Sequence, residues 1–309
     1  MRALACPASL KGVLSAGDAA AALAAGFARV PGTEWEQLPV ADGGEGTAAV
    51  LGARVARSCR VHDAFGRPRE APIHALPDGT LVVESAEAVP LDPERRDVLA
   101  ASSRGLGELI AEVGECPRLV VCLGGTATMD AGAGLLEVLD DLPAPTTALY
   151  DVRVGLLDAP RLFGPQKGAL AEDVATLEQL FAATEHLRSY AKLAGAGAAG
   201  GLGAALASLG AELVPGAEFV LEALGFRERA AGADLVVTGE GTVDRTTFRG
   251  KAPGEVARVC GELGVRCVLF GGSVEDGIEA RALSGDPARA REDLEVLGRD
   301  LALLELPSV

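Results

Sequence analysis

Four short apolar runs in this chain, residues 3–6, 35–40, 119–123 and 233–237, each break off in a loop rich in glycine and charge. The loops are Pro7-Ala8-Ser9-Leu10-Lys11-Gly12, Asp42-Gly43-Gly44-Glu45-Gly46, Gly124-Gly125-Thr126-Ala127-Thr128-Met129-Asp130 and Thr238-Gly239-Glu240-Gly241. An apolar run this short, bounded by turn residues, reads as a buried strand. In α/β proteins ligands bind beyond the C-terminal ends of parallel strands, so the position of these loops gives them more weight than ordinary turns. The pattern predicts an α/β protein with a parallel, doubly wound domain. That domain is built from both chain ends, residues 1–58 and 229–309, with a mixed α/β domain, 59–228, inserted between them.

The segments between the runs fit this plan. Ser15 with Asp18 three residues on forms a short capping-box variant. It opens a helix that runs through the alanines to about Val30, where Pro31-Gly32 ends it. Residues 59–90 hold short strands broken by Gly66, Pro68 and Pro77-Asp78-Gly79, an antiparallel meander. A helix is expected over 104–115 and another over 172–193. Residues 265–270 form a further buried strand, and 296–304 suit either a strand or a short helix. The stretch 140–170, rich in proline and glycine, gives no clear element.

The 309 residues carry a net charge of −16, which argues against nucleic acid and anionic membrane surfaces as partners, since both call for basic patches. It does not argue against a phosphorylated small molecule, whose charge local lysines or magnesium can meet. Aromatic residues make up only 4%. No apolar run approaches the ~18 residues that a membrane span needs, and the N-terminal run before Pro7 is too short for a signal-peptide core. The six cysteines form no C-x-x-C pair, and only three histidines accompany them, so neither a zinc site nor a disulfide framework is expected. Free, mostly buried thiols in a reducing cytoplasm are the expectation. The composition allows a homo-oligomer and does not require one.

Positive charge is written almost wholly as arginine: 24 arginines stand against four lysines. Three of the four lysines adjoin glycine: Lys11, Lys167 and Lys251. A compact ammonium beside a bare backbone turn suits a phosphate, because glycine lets backbone N–H groups approach it as well. With the acids Asp42, Glu45, Asp130, Glu240 and Asp244, these lysines point to a nucleotide, magnesium and phosphoryl transfer. Ordinary turn chemistry uses the same residue types. Asp130 also suits the N-cap of a helix starting at Ala131. Other scaffolds are excluded by their motifs. Gly250-Lys251 continues with Ala252, so there is no P-loop. Kinase H-R-D and D-F-G strings are absent. Gly195-x-Gly197-x-x-Gly200 matches a dinucleotide fingerprint only as a string, because a helix, not a strand, is expected before it. A glycine-rich helix junction or a loop of close backbone contacts is the better reading there. Phosphoryl transfer needs positioning, charge neutralisation and a carboxylate to take a hydroxyl proton. It does not need histidine.

Taken in order, the motifs resemble those of the bacterial glycerate kinases of type I. The matching strings are Pro7 to Gly12, Ala41-Asp42-Gly43-Gly44-Glu45-Gly46-Thr47, Gly124 to Thr128, Phe163-Gly164-Pro165-Gln166-Lys167-Gly168-Ala169, Gly195 to Gly203, and Thr238 through Asp244 to Gly250-Lys251-Ala252-Pro253. They run from residue 3 to about 273. The resemblance implies a flavodoxin-like domain made from both chain ends, an inserted α/β domain, and ATP- and Mg2+-dependent phosphorylation of D-glycerate. By the same resemblance Lys11, Asp42 and Asp244 are candidate catalytic residues. Ser9, Gly43, Gly44, Glu45, Gly124, Gly125, Thr126, Lys167 and Lys251 are candidates for binding substrate or nucleotide, and Asp130 and Glu240 for the metal.

This chain departs from the resembled family at several polar positions. Ala8 stands where an aspartate is usual, and Met129 where an asparagine is usual. Asp151-Val152-Arg153-Val154-Gly155 lacks the usual Asn-Pro, and Thr246 lies in a region where a glutamine is usual. Between Leu139 and Asp151 the chain is several dozen residues shorter than typical members. One lost hydrogen-bonding group at a reacting centre can reduce the rate by about a hundred- to a thousand-fold. Two other readings therefore stand beside a glycerate kinase: a kinase for a different small hydroxy acid or polyol, and a non-catalytic binding or regulatory descendant.

Overall fold

The structure, a computed structural model, describes residues 1–304. Its strands are β1 (Arg2–Ala5), β2 (Glu34–Gln37), β3 (Arg54–His62), β4 (Pro68–Ala75), β5 (Leu81–Glu84), β6 (Leu119–Cys122), β7 (Thr146–Tyr150), β8 (Glu212–Pro215), β9 (Leu235–Val243), β10 (Arg266–Val274) and β11 (Arg281–Ala282). They form two sheets. Packing divides the chain into one unit of Met1–Asp42 with the segment from Ala217 on, and a second of Gly43–Gly216. The divisions fall earlier than the expected 58/59 and 228/229. The expected boundary cuts through β3, which pairs along its length with β4 of the second sheet. At the other boundary, Ala217 and Leu221 of helix Gly216–Ala223 belong to the first unit's core.

In the first unit the sheet order is β2-β1-β9-β10-β11, parallel throughout. Counted along that unit alone this is 2-1-3-4-5, the flavodoxin-like order. Successive strand side chains point to opposite faces, and the core follows that period. Ala3, Ala5, Leu235 and Val237 face Leu23 and Phe27 of helix Ala16–Phe27 and Leu294 of helix Ala290–Leu304. Leu4, Cys6 and Val236 face Phe226, Val256 and Cys260 on the other side. The expected cap is present: Ser15 Oγ accepts the Asp18 N–H at 3.0 Å and donates to the Asp18 carboxylate at 2.6 Å. The C-terminal segment, open to either assignment in sequence, is helical.

The second unit carries a mixed sheet, β3-β4-β5-β6-β7-β8. β3, β4 and β5 are antiparallel, as the meander predicts, and β5 to β8 run parallel. β7, which sequence left unassigned, is buried along its whole length. The helix expected over 172–193 is Ala171–Ala182, followed by a short 3-10 turn, Glu185–Leu187. Thr184 ends it by donating its hydroxyl to the Phe181 carbonyl at 2.6 Å, a local bond that competes with the helical ladder. Among the described residues no helix is long and apolar enough to cross a membrane, and all six cysteines are free thiols.

Candidate functional site

In the first unit, strand β9 does not stop at its first glycine. It pairs with β10 through Gly239–Phe270 and Glu240–Gly271 as far as Val243–Val274. Glu240 therefore sits on a strand rather than in a loop. Its Oε1 accepts the Thr247 hydroxyl at 2.7 Å and its Oε2 accepts Lys251 Nζ at 3.1 Å. Burial pushes the Glu240 carboxyl above its ordinary range. Thr247 and Lys251 oppose that shift, while Asp42 reinforces it. Thr247, fully buried, also accepts the Asp244 N–H at 3.1 Å. Asp244 in turn accepts the Thr246 N–H at 2.7 Å as well as the Thr246 hydroxyl, which holds its carboxyl below the usual range. One connected chain thus runs Asp244–Thr247–Glu240–Lys251. Lys251 opens helix Ala252–Leu263, preceded by Gly250 in the left-handed region at φ 117°.

Lys11 sits beside this strand end. Its turn is closed by Leu10 and Leu14, which exchange backbone hydrogen bonds at 2.9 Å, with Gly12 at φ 75°. The Ala8 N–H donates to the Gly239 carbonyl at 2.9 Å, tying the Lys11 loop to β9. Lys11 and Ser9 are exposed, and Asp42 is half-buried. Of the predicted residues, the fold thus brings Asp42, Glu240, Asp244 and Lys251 into one cluster, with Lys11 and Ser9 on the neighbouring loop.

The second unit gathers the remaining candidates around the C-terminal ends of β5 and β6. Gly43 has φ 92°, and a Cβ there would lie 2.7 Å from Gly216 Cα and 2.9 Å from Leu149 Cβ. At Gly124 a Cβ would meet Gly44 Cα at 3.2 Å. The acidic glycine loop and the Gly124–Thr128 loop therefore pack backbone against backbone. Two residues that sequence did not single out hold them. Glu84, only 3% exposed, accepts the Gly46 N–H at 2.8 Å on one carboxylate oxygen and the Ala48 N–H at 2.7 Å on the other. Burial raises its pKa and these two bonds oppose the rise. Next in the chain, Ser85 Oγ exchanges hydrogen bonds with the Gly124 N–H and carbonyl, each at 3.2 Å. The available signal was that residues 81–84 form a further apolar run ending in an acid.

Lys167 is buried, with Nζ donating to the Thr128 carbonyl at 2.8 Å and the Thr126 hydroxyl at 3.2 Å. Burial lowers its pKa to about 8, against the pull of Asp130 and Asp151. Asp130 takes four hydrogen bonds, from the Ser103 N–H and hydroxyl and from the Gly132 and Gly134 N–H groups, at 2.8–3.1 Å. It anchors the turn into helix Ala133–Leu136, whose N-cap residue is Gly132. The Gly195–Gly203 run packs against the same loop. Ala131 N–H donates to the Gly200 carbonyl at 3.0 Å, and a Cβ on Gly200 would lie 1.9 Å from the Thr128 carbonyl oxygen. This is the close backbone contact expected for that run.

The departures noted in sequence fall in distinct places. Met129 is fully buried among Leu156, Leu177 and Phe181, so its side chain packs a core. Thr246 bonds Asp244, as above. The shortened stretch enters β7 at its N-terminal end, where Thr146 pairs with Leu119, whereas the glycine loop leaves β6 at the other end, beyond Cys122. A four-residue strand separates the two by about 13 Å.

Comparison with known proteins places these features in a family. A sequence model of the glycerate kinase family matches residues 3–141 and 145–287, with its break in the shortened stretch. The chain is 35% identical over 284 residues to the glycerate kinase of Bacillus subtilis strain 168, covering 73% of each protein. It is 34% identical over 288 residues to the glycerate 2-kinase of Escherichia coli K12, covering 74% of each. A crystal structure of a protein assigned as glycerate kinase 2 in Salmonella typhimurium LT2 superposes with a TM-score of 0.78 at 31% identity, covering 98% of both chains.

Proposed function

The chain belongs to the glycerate kinase family, and from that premise we propose that it transfers the terminal phosphoryl group of ATP to D-glycerate in the presence of Mg2+. The observation that carries this reading is the hydrogen-bonded chain Asp244–Thr247–Glu240–Lys251 at the end of β9. It holds two acids and an ammonium in fixed relation where a parallel sheet binds its ligand.

The residues present suit the nucleotide and the ion. Among the described residues no three His, Cys, Asp or Glu side chains group as an ion cage. Mg2+ bound to a nucleotide needs only one or two carboxylates, the phosphates and water. Glu240 is the ligand we favour. Its raised pKa marks a carboxylate that gains from a cation. Asp130, with four donors already on it, fits the role of a loop anchor better than that of a metal ligand. When bound, the ion would neutralise charge on the phosphates. Lys11 and Lys251 supply positive charge for the phosphoryl group or the substrate carboxylate. Asp42 or Asp244 accepts the proton of the attacking hydroxyl. Ser9, Gly43, Gly44, Glu45, Gly124, Gly125 and Thr126 line the loops that receive substrate and nucleotide. Lys167 acts through Thr126 and Thr128 rather than by direct contact.

The test is ADP release by purified protein with ATP, Mg2+ and D-glycerate, against acceptor-free and Lys11→Ala controls. Turnover above both controls is the expected result. Its absence from folded protein at high concentration would sink the reading.

A further inference from the structure

Thr247 is the node of the chain Asp244–Thr247–Glu240–Lys251. It is fully buried, so it lies out of reach of a ligand and acts only through its neighbours. A hydroxyl has one proton to give and two lone pairs to accept with. Here the proton goes to Glu240 Oε1 at 2.7 Å, and a lone pair takes the Asp244 N–H at 3.1 Å. The backbone repeats the tie, with the Thr247 N–H donating to the Asp244 carbonyl at 3.0 Å. Glu240 lies within β9, whereas Asp244 follows its last residue, Val243. One buried side chain therefore joins an acid on the strand to an acid beyond it.

The other oxygen of Glu240 is held by Lys251, and the two donors differ in access. The Lys251 side chain is 29% exposed and can leave Glu240 for a phosphate or a carboxylate. Thr247 has no such freedom. Once Lys251 turns to a ligand, Thr247 is the contact that still fixes the Glu240 carboxylate.

The node is itself seated by a glycine. The turn Thr247–Arg249 lies against the first turn of helix Ala252–Leu263. A Cβ on Gly254 would stand 2.1 Å from the Thr247 carbonyl oxygen and 3.0 Å from Phe248 Cα. Both are backbone atoms, with no rotamer that could give way. Alanine is ordinarily the better helix former. At this position it would push the turn, and with it the Thr247 hydroxyl, off Glu240.

We propose that Thr247 is a positioning residue for the transfer: it keeps Glu240 in fixed relation to Asp244 when Lys251 turns to a ligand, and Gly254 lets it sit close enough to do so. The proposal rests on the reading that these acids serve phosphoryl transfer. Thr247→Val keeps the shape and removes the hydroxyl, and Thr247→Ser keeps the hydroxyl. All variants are first shown to be folded by melting curve. Thr247→Val is expected to lower kcat about 10- to 100-fold, the scale for losing a hydrogen bond that orients a ligating carboxylate. Thr247→Ser recovers most of that loss, and Gly254→Ala lowers kcat in the same direction as Thr247→Val. The decisive comparison is with Glu240→Gln. If Thr247 acts through Glu240, the double variant is no worse than Glu240→Gln alone, whereas a merely structural threonine gives losses that multiply. The same cycle is read without turnover, by calorimetric titration of the whole protein with ADP in the presence and absence of Mg2+. The gain in ADP affinity that Mg2+ brings should fall in Thr247→Val and in Glu240→Gln alike, with no further fall in the double variant. Losses that multiply, a Thr247→Ser no better than Thr247→Val, a Gly254→Ala at wild-type turnover, or a Glu240→Gln equal to wild type in both readouts would overturn the proposal. If D-glycerate is not phosphorylated, the activity reading falls while the titrations still decide the role of Thr247. A wild type for which Mg2+ adds nothing to ADP affinity would then overturn it as well.

Discussion

In the first unit Lys251 meets Glu240 at 3.1 Å with 29% of its side chain exposed; in the second, Lys167 is 6% exposed and points its ammonium at a hydroxyl and a backbone carbonyl. Both lysines adjoin glycine, and both looked equally suited to a phosphate. The difference teaches that a lysine beside a glycine turn has two uses. With a carboxylate partner and access to solvent it can exchange that partner for a ligand. Buried against its own chain, it holds the backbone that the ligand will touch. Two carboxylates divide in the same way: Glu240 accepts from the side chains of Thr247 and Lys251, while Glu84 accepts from the backbone N–H groups of Gly46 and Ala48; Asp244 and Asp130 each accept from both kinds of donor.

The sharpest way to break this comparison is to remove charges on each side. Lys11→Ala and Asp42→Ala are expected to lower kcat by about a hundred-fold or more without moving the melting temperature. Near-wild-type turnover in both would remove them from the site. Glu84→Ala should do the reverse. It strips two charge-assisted bonds from the Gly46 and Ala48 amides, at a cost of about 3 kcal/mol in stability, measured by urea unfolding. Stability unchanged in Glu84→Ala would mean that the acidic glycine loop holds itself.

The departures from the family allow a finer test. Met129 is buried in an apolar cluster, so Met129→Asn, which brings back the residue usual in the resembled family, should destabilise the fold by about 2 kcal/mol and leave kcat no higher. A gain in turnover would show that the position reaches the reacting groups after all.

Much of the fold was legible because parallel strands buried on both faces leave uninterrupted apolar runs, and glycine and charge mark where they stop. The 2-1-3-4-5 order was legible only through the family resemblance, which implied a flavodoxin-like domain, since pairing partners are set by crossover geometry rather than by any residue. β7 escaped notice because Pro143 and Pro145 precede it and its two threonines dilute the apolar run. For the candidate site, sequence singled out residues with unusual neighbours: Lys11, Asp42, Glu240 and Lys251. It passed over Glu84, Ser85 and Thr247, which sit in ordinary surroundings and become important only through backbone groups far along the chain. Glu84 reaches Ala48 across 36 residues, and Ser85 reaches Gly124 across 39. Nothing local records such a contact. The extension of β9 through Gly239 and Gly241 was hidden for a related reason, because glycine reads as a strand stop unless the neighbouring strand that carries it is known.

The last effect concerns Lys167, and it has a definite sign. Burial lowers this lysine from 10.5 to about 8. Below pH 8 both the folded and the unfolded chain hold its proton, and the full penalty of burying a cation is present. Between about pH 8 and 10.5 the folded chain has released the proton while the unfolded chain retains it. The unfolded state then binds more protons, so stability rises with pH in that window, by at most about 1.4 kcal/mol per pH unit. Lys167→Met removes the titrating group. Urea unfolding of wild type and variant at pH 7, 8, 9 and 10 should therefore show the stability of wild type relative to the variant climbing from about pH 8 upward. A flat or falling difference would mean that Lys167 keeps its charge in the folded protein, solvated or paired with Asp130 and Asp151 more strongly than burial opposes. The contrast between the two lysines would then be one of degree rather than of kind.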